Sequence, residues 1–322
     1  MTRIYKKISA GKIFKILERF NIGVVVKAER IKTSGNIAYL VTAEKGRYFL
    51  RLCPAEGLRW RSKNEIAAEI ELLKYVKKRG VPVILPIADK SGHEIISIGR
   101  CNGYMRPFID AAEKLSPTIA ETRAAGRILG GFHKKIKGYK TKNARKHIFD
   151  VSAARRYLRA HKKEILKSNF KNVVEFVGLI GKELSALNFP KILPTGMIHE
   201  DFGKRHVLWR GGKIAAVVDF DRSYYGSLLF DLGQALRGWC FVDDWKKWSV
   251  RHFRAFIDGY QSERKVTKIE KKYLIDVIRF GILERALAFC SRFVYSGQKK
   301  ADEAYAWKSA TTLLSQISRV EF

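Results

Sequence analysis

The sequence predicts an α+β chain of two lobes, a small antiparallel β-rich lobe followed by a larger helical one. Three observations predict it. Strand-like segments crowd the first hundred residues, whereas helical periodicity takes over from residue 118 onward. Strands first and helices later is the pattern of segregated α+β units. An extended connector stands between the two regions, because Pro107 restrains Arg106 away from helix. Finally, 322 residues with 46 % hydrophobic content leave room for two lobes or one large domain around a sizeable core.

The elements follow in order. Residues 12–20 place apolar side chains at helical spacing and stop before Asn21 and Gly23, so they read as a short helix. Residues 24–31, 37–43 and 47–53 read as three strands of a meander, punctuated by turns at 33–36 and 44–46. Residues 62–79 carry Ile66, Ile70, Leu73 and Val76 on one helical stripe, closed by Gly80 and Pro82. Strands are expected at 83–88 and 95–98, then the extended passage 103–108. The remainder reads as helical, interrupted by Pro190, Pro194 and a strand–turn–strand passage at 197–220. This places a first lobe at 1–103, a hinge at 104–110 and a second lobe at 111–322.

Composition excludes several classes. Cys53, Cys101, Cys240 and Cys290 form no CxxC pair, which argues against a zinc ribbon and a disulfide framework. The first 21 residues lack a continuous apolar core, so no signal peptide is expected, and no window of 18 uncharged apolar residues exists for a membrane span. A reducing, cytoplasmic setting fits. The net charge is +32, yet residues 199–245 carry six basic and seven acidic side chains, an acidic island in a basic chain. Hard divalent cations need such carboxylates. In contrast, residues 134–171 hold 14 Lys or Arg and two acids, Asp150 and Glu164. Such a run is a solvated face or a footprint for a polyanion such as RNA or an anionic lipid or sugar. Acids are sparse near the C-terminal helices, which disfavours a polycationic acceptor.

The acidic island also carries the most informative passage, His199-Glu200-Asp201-Phe202-Gly203-Lys204-Arg205-His206, followed by Gly211-Gly212 and Val217-Val218-Asp219-Phe220-Asp221. Apolar strands opening into Asp, with a Gly-Gly hairpin turn between them, bring Asp201 and Asp219 towards the same end of neighbouring elements. Phosphoryl transfer needs two such acids, one to orient the attacking hydroxyl and one to hold a metal ion against the phosphates.

This passage resembles the aminoglycoside phosphotransferase/choline kinase superfamily, whose loop reads His-x-Asp with an Asn five residues on, before an apolar strand ending in Asp. Asn21-Ile22-Gly23, Gly35-Asn36, the strand 46–52, Tyr225-Gly226, Phe230-Asp231-Leu232-Gly233 and Phe256-Ile257-Asp258-Gly259-Tyr260 look like the type II homoserine kinase branch, so the similarity covers nearly the whole chain. The resemblance implies a protein-kinase-like fold with nucleotide bound by the first lobe, and an ATP- and Mg2+-dependent phosphotransferase acting on a small hydroxyl-bearing molecule. It implies Asp201 as catalytic base and His199 as a brace for the loop. Asp219 would bind Mg2+, with His206 at the second ligand position and Asp221 as a further metal or water ligand. Asp231 would anchor the loop, Arg51 paired with Glu69 would meet the nucleotide phosphates, and Ser34 and Gly35 would cover them. Arg106 would lie on the hinge where adenine rests.

Three positions depart from the family pattern. Arg51 stands where a lysine is usual and can grip phosphate bidentately with a different geometry; Glu71 competes with Glu69 as its partner. Glu200 replaces a Gly and removes backbone freedom. His206 replaces the Asn, and imidazole is a poor ligand for a hard cation. These departures motivate the alternative of a pseudokinase or nucleotide-binding regulatory module.

Overall fold

The computed structural model describes residues 8–33, 36–54, 61–142 and 150–317. The hairpin punctuation of the first hundred residues closes into one sheet. Helix α1 (Ala10–Leu17) lays Ile13, Ile16 and Leu17 on a core with strands β1 (Val25–Ile31), β2 (Ile37–Ala43) and β3 (Gly46–Leu52). Helix α2 (Lys63–Lys77) starts on a capping box between Ser62 and Glu65, which satisfies two of its free N–H groups reciprocally. Strands β4 (Ile96–Ile98) and β5 (Cys101–Pro107) complete an antiparallel sheet of order β1-β2-β3-β5-β4. Gly103 is required there: a Cβ at that position would lie 1.9 Å from the Arg51 carbonyl oxygen.

Two expectations are corrected. Residues 83–88 form no strand; only Val83 makes an isolated parallel bridge, to Val217. Pro82 and Pro86 lack the N–H groups a ladder needs. The passage 103–108 is largely strand rather than a free connector, since β5 pairs with β3 through Pro107. The turn residues Ser34 and Gly35 lie outside the described residues.

Strand β6 (Ala112–Glu113) then joins the second region by pairing with β8 (Val207–Arg210), which forms a hairpin with β9 (Lys213–Val217). The Gly-Gly turn connects β8 to β9, whereas the strand before His199, β7 (Thr195–Ile198), pairs with β10 (Tyr224–Ser227). Around these lie α3 (Ile119–Lys135), α4 (Val151–Leu166), α5 (Val173–Ala186), α6 (Leu228–Cys240), α7 (Val250–Gln261), α8 (Lys268–Tyr295), α9 (Lys300–Lys308) and α10 (Leu314–Ile317). A short ribbon of β11 (Phe241–Val242) and β12 (Lys247–Trp248) interrupts them. Helices α3 and α7 cross with backbones touching: Cβ atoms at Gly126, Gly130 and Gly259 would lie 2.1, 2.3 and 1.9 Å from the carbonyl oxygens of Phe256, Tyr260 and Arg123.

One large apolar core fills the helical region and reaches into α2, where Leu72, Leu73 and Val76 join it; the sheet region has its own smaller core around Leu50, Leu52 and Met105. The two regions are therefore welded along α2. All four cysteines are buried and free. Among the described residues, no helix is long and apolar enough to cross a membrane.

The basic run is not one continuous helix. Its second half begins on α4, which ends at Leu166, so Lys167 and Lys171 lie past it, while Arg145 and Lys146 lie outside the described residues. Arg156, Arg159, Lys162 and Lys163 are exposed. Arg155 is not: its guanidinium donates to the carbonyl oxygens of Leu184 and Leu187 at 2.7 and 2.6 Å, capping the C-terminus of α5.

Candidate active site

The site begins with a carboxylate that solvent does not reach. Asp231, on the first turns of α6, is fully buried. It accepts the backbone N–H groups of His199 and Glu200, each at 2.8 Å, and His133 Nε2 lies 2.9 Å away. Burial pushes its carboxyl up, but the hydrogen bond and charge from His133, with the loop donors, hold it below the usual carboxylate range. His133 Nδ1 in turn lies 2.7 Å from Tyr260 Oη, so α3 and α7 together position the group from which the 199–203 loop hangs.

That anchorage explains the Glu200 substitution. Glu200 has φ of 70°, the left-handed region that favours glycine. Holding a non-glycine there costs about 1–3 kcal/mol. The Asp231 hydrogen bond fixes the conformation, and the Glu200 carboxylate lies on Arg222, with an Nη2-to-Oε1 bond of 2.8 Å. The added charge thus has a partner that a glycine would not need.

His199 braces the loop from within. Its Nδ1 accepts the Asp201 N–H at 3.2 Å and Nε2 lies 3.1 Å from the Val218 carbonyl, to which it donates. Burial holds its pKa below the ordinary histidine value, in keeping with a neutral ring that uses one nitrogen as donor and one as acceptor. Asp201 beside it keeps a quarter of its side chain (25 %) exposed and accepts Arg285 Nη2 at 3.1 Å. Burial alone would raise its carboxyl, but Arg285 above all, with His206, Arg222 and Arg237, holds it well below the usual range.

The β8–β9 hairpin supplies the second carboxylate. Val207 pairs with Val217, and Val218 N–H donates to the His206 carbonyl at 2.9 Å, so His206 and Asp219 are held abreast. Asp219 has φ of 68° and a side chain 32 % exposed. The imidazole of His206 ties the loop to the end of the hairpin: Nδ1 donates to the Asp201 backbone carbonyl at 2.6 Å, and Nε2 lies 3.4 Å from Asp219 Oδ2. The donor set is small. Among the described residues no group of three or more His, Cys, Asp or Glu gathers as a metal cage. Asp219 is a carboxylate that could hold a hard divalent cation together with substrate phosphates.

Arg51 projects from β3 towards the same place. It is buried and lies 3.3 Å from Glu69 Oε1, 3.5 Å from Asp219 Oδ1 and in close contact with Asp221. Glu69 rather than the exposed Glu71 is thus its helix partner, and Tyr104 Oη donates to the same Glu69 oxygen at 2.8 Å. Asp221 is buried, ion-paired with Arg51 and, at 3.5 Å, with Arg61, surroundings of an anchor for arginines rather than of an open ligand. Arg106 lies on β5 with its guanidinium carbon 4.6 Å from the Phe49 ring centroid.

Sequence reasoning missed the arginines around Asp201. Arg222 follows Asp221, Arg237 is on α6 and Arg285 is on α8, 84 residues after the aspartate it contacts. The signal was present: Glu284-Arg285 interrupts the apolar run 280–290, and Arg237 interrupts a second one. Charges in stretches that must be buried require partners. His133 gave no comparable signal.

Residues 29–266 match the family model described as the phosphotransferase enzyme family. The chain is 27 % identical over 281 residues to a homoserine kinase of Caulobacter vibrioides, covering 84 % of this chain and 83 % of that protein. It is 25 % identical over 285 residues to a homoserine kinase of Neisseria meningitidis serogroup B, covering 87 % and 88 %. Among solved structures, an amicoumacin kinase in complex with AMP-PNP and Ca2+ superposes with a TM-score of 0.75 at 15 % identity, over 97 % of this chain and 96 % of that one. A spectinomycin phosphotransferase in complex with ADP gives 0.71 at 16 % identity, over 98 % and 99 %. The match to the family model, carried by a two-lobed protein-kinase-like fold shared along nearly the whole length, means that the chain belongs to the phosphotransferase enzyme family, as a kinase of the aminoglycoside phosphotransferase/choline kinase superfamily.

Proposed function

We propose that the chain transfers the γ-phosphate of ATP, with Mg2+, to the hydroxyl of a small molecule, and that homoserine is the first acceptor to test. The observation that carries this reading is a pair of partly exposed carboxylates, Asp201 on the loop fixed by Asp231 and Asp219 at the end of the β8–β9 hairpin, with His206 bonded to the backbone of the first and facing the second. Asp201, kept ionised by Arg285, accepts the hydrogen bond of the acceptor hydroxyl and aims its oxygen. As the new O–P bond forms and the bond from γ-phosphorus to the bridging β–γ oxygen breaks, the hydroxyl proton passes to Asp201 and ADP carries away the electron pair. Mg2+ would supply charge neutralisation at the phosphates, and Asp219, faced by His206, would hold it. Arg51, fixed by Glu69 and Asp221, offers cationic charge from the sheet side. In this reaction the protein contributes mainly positioning and electrostatic stabilisation.

The test is Asp201→Asn. Loss of the base is expected to lower kcat by about 10²–10⁴, measured by ADP release with a coupled assay and product formation by 31P NMR. Nucleotide affinity should stay within about twofold. A folded variant that loses nucleotide binding, or one that turns over normally, would overturn the assignment.

A further inference from the structure

One buried cation beside this site lacks an anionic partner. Arg237 is only 7 % exposed, yet among the described residues it makes no ion pair. Its Nε donates to the neutral Gln234 Oε1 at 3.0 Å. The other buried arginines of the site are all matched by carboxylates: Arg51 by Glu69 and Asp221, Arg61 by Asp221, Arg222 by Glu200, Arg285 by Asp201 and Glu284. Burying a charge without a counter-charge is costly.

Arg237 is also in the right place to meet an acceptor. The residues after it touch the loop that carries Asp201: a Cβ at Gly238 would lie 3.4 Å from Gly203 Cα, and Trp239 Nε1 donates to the Phe202 carbonyl at 3.0 Å. Gln234 reaches from Arg237 to Glu284 Oε2 at 3.4 Å, and the adjacent Arg285 holds Asp201. Burial first, then the like charge of Arg285, holds the Arg237 pKa below the ordinary arginine value, and Tyr305, Asp201 and Glu284 offset this only in part.

A second feature converges on it. Asp243, Asp244 and Trp245 have φ of 53°, 51° and 65°, three consecutive non-glycine residues in the left-handed region. Such conformations cost about 1–3 kcal/mol each and cluster at ligand clamps. Here they turn Trp245 onto Arg237, whose guanidinium carbon lies 5.0 Å from the ring centroid. Tyr305 meets Trp245 edge-on at 6.3 Å, and Lys308 Nζ holds the turn by donating to the Asp244 carbonyl at 3.0 Å.

We infer that Arg237, backed by Trp245 and neighbouring Arg285, binds the carboxylate of a small hydroxy acid whose hydroxyl is presented to Asp201. This deepens the kinase reading and rests on it. A carboxylate suits the planar guanidinium fork and adds one negative charge. A phosphate dianion would set a second charge beside Asp201 and the transferred phosphoryl group.

The experiment compares 4-hydroxybutanoate with 4-hydroxybutanamide, and L-homoserine with its amide, by saturation-transfer NMR and calorimetric titration, with and without Mg2+ and AMP-PNP. Each acid should bind at least about tenfold more tightly than its amide, the worth of one hydrogen bond to a charged group. Arg237→Gln should abolish that preference while Mg2+–AMP-PNP affinity stays within about twofold, and Arg237→Lys should retain part of it. Equal binding of acid and amide, a preference that survives in Arg237→Gln, or tighter binding of a phosphorylated alcohol than of the carboxylate overturns the inference. If Arg237→Gln fails to fold, the Lys variant decides, because an undiminished preference there refutes a bidentate guanidinium contact. Failure of the wild type to bind AMP-PNP would sink the kinase reading instead, and the nucleotide-free comparison would still settle the subsite.

Discussion

Replacing Asp231 by Asn tests whether the 199–203 loop is held as described. The carboxylate offers two oxygens to three donors, the N–H groups of His199 and Glu200 and the Nε2–H of His133. An amide of the same size keeps one oxygen. However it turns, its NH2 faces a buried N–H, leaving two donors unsatisfied at about 1–3 kcal/mol each and weakening the bonds that remain. The expected loss is about 3–5 kcal/mol. At about 2–3 °C per kcal/mol for a chain of this size, Tm should fall by about 6–15 °C. Loss of the Glu200 bond also frees a backbone held at φ of 70°, so Asp201 should shift, and a misplacement near 1 Å costs about a hundredfold in rate. Differential scanning calorimetry and steady-state kinetics read the two effects. A Tm within about 2 °C of wild type, with kcat/KM within about twofold, would refute the reasoning.

Other outcomes follow from the same contacts. Arg285→Gln removes the cation 3.1 Å from Asp201 and lets its carboxyl rise towards the ordinary carboxylate value. Because the base proposed for Asp201 acts only when ionised, the acid limb of the pH profile of kcat/KM should move to higher pH, and an unmoved limb would discount Arg285 as its tuning partner. Gly130→Ala places a methyl group 2.3 Å from the Tyr260 carbonyl oxygen, and overpacking of this kind should cost about 1–3 kcal/mol in urea titration. Arg155→Ala strips the cap from α5 and should cost about 1–3 kcal/mol with kcat unchanged, read by calorimetry alongside turnover.

Much of the architecture was legible because local signals agreed with it. The expected strand at 37–43 is β2 itself, and the stripe of Ile66, Ile70, Leu73 and Val76 is buried on α2. Proline chemistry keeps 83–88 out of the sheet, and the extended passage before Pro107 is strand β5, paired rather than merely extended. The loop and hairpin around Asp201, His206 and Asp219 could be found because they are close in sequence. The guanidinium groups of Arg237 and Arg285 could not, since helices far along the chain deliver them and spacing says nothing about which helix face meets a loop. The sequence raised Glu200 as a lost glycine; only the backbone shows that its left-handed conformation persists and that Arg222 receives the carboxylate.

The touching backbones of α3 and α7 act as a rigid strut. With no side chain between Gly126, Gly130, Gly259 and the carbonyl groups they meet, neither helix can slide or roll on the other without a collision. His133 and Tyr260 ride on this strut and meet at Asp231, so a loop hung from α6 is also braced from α3 and α7. Three helices must move together before that loop can shift.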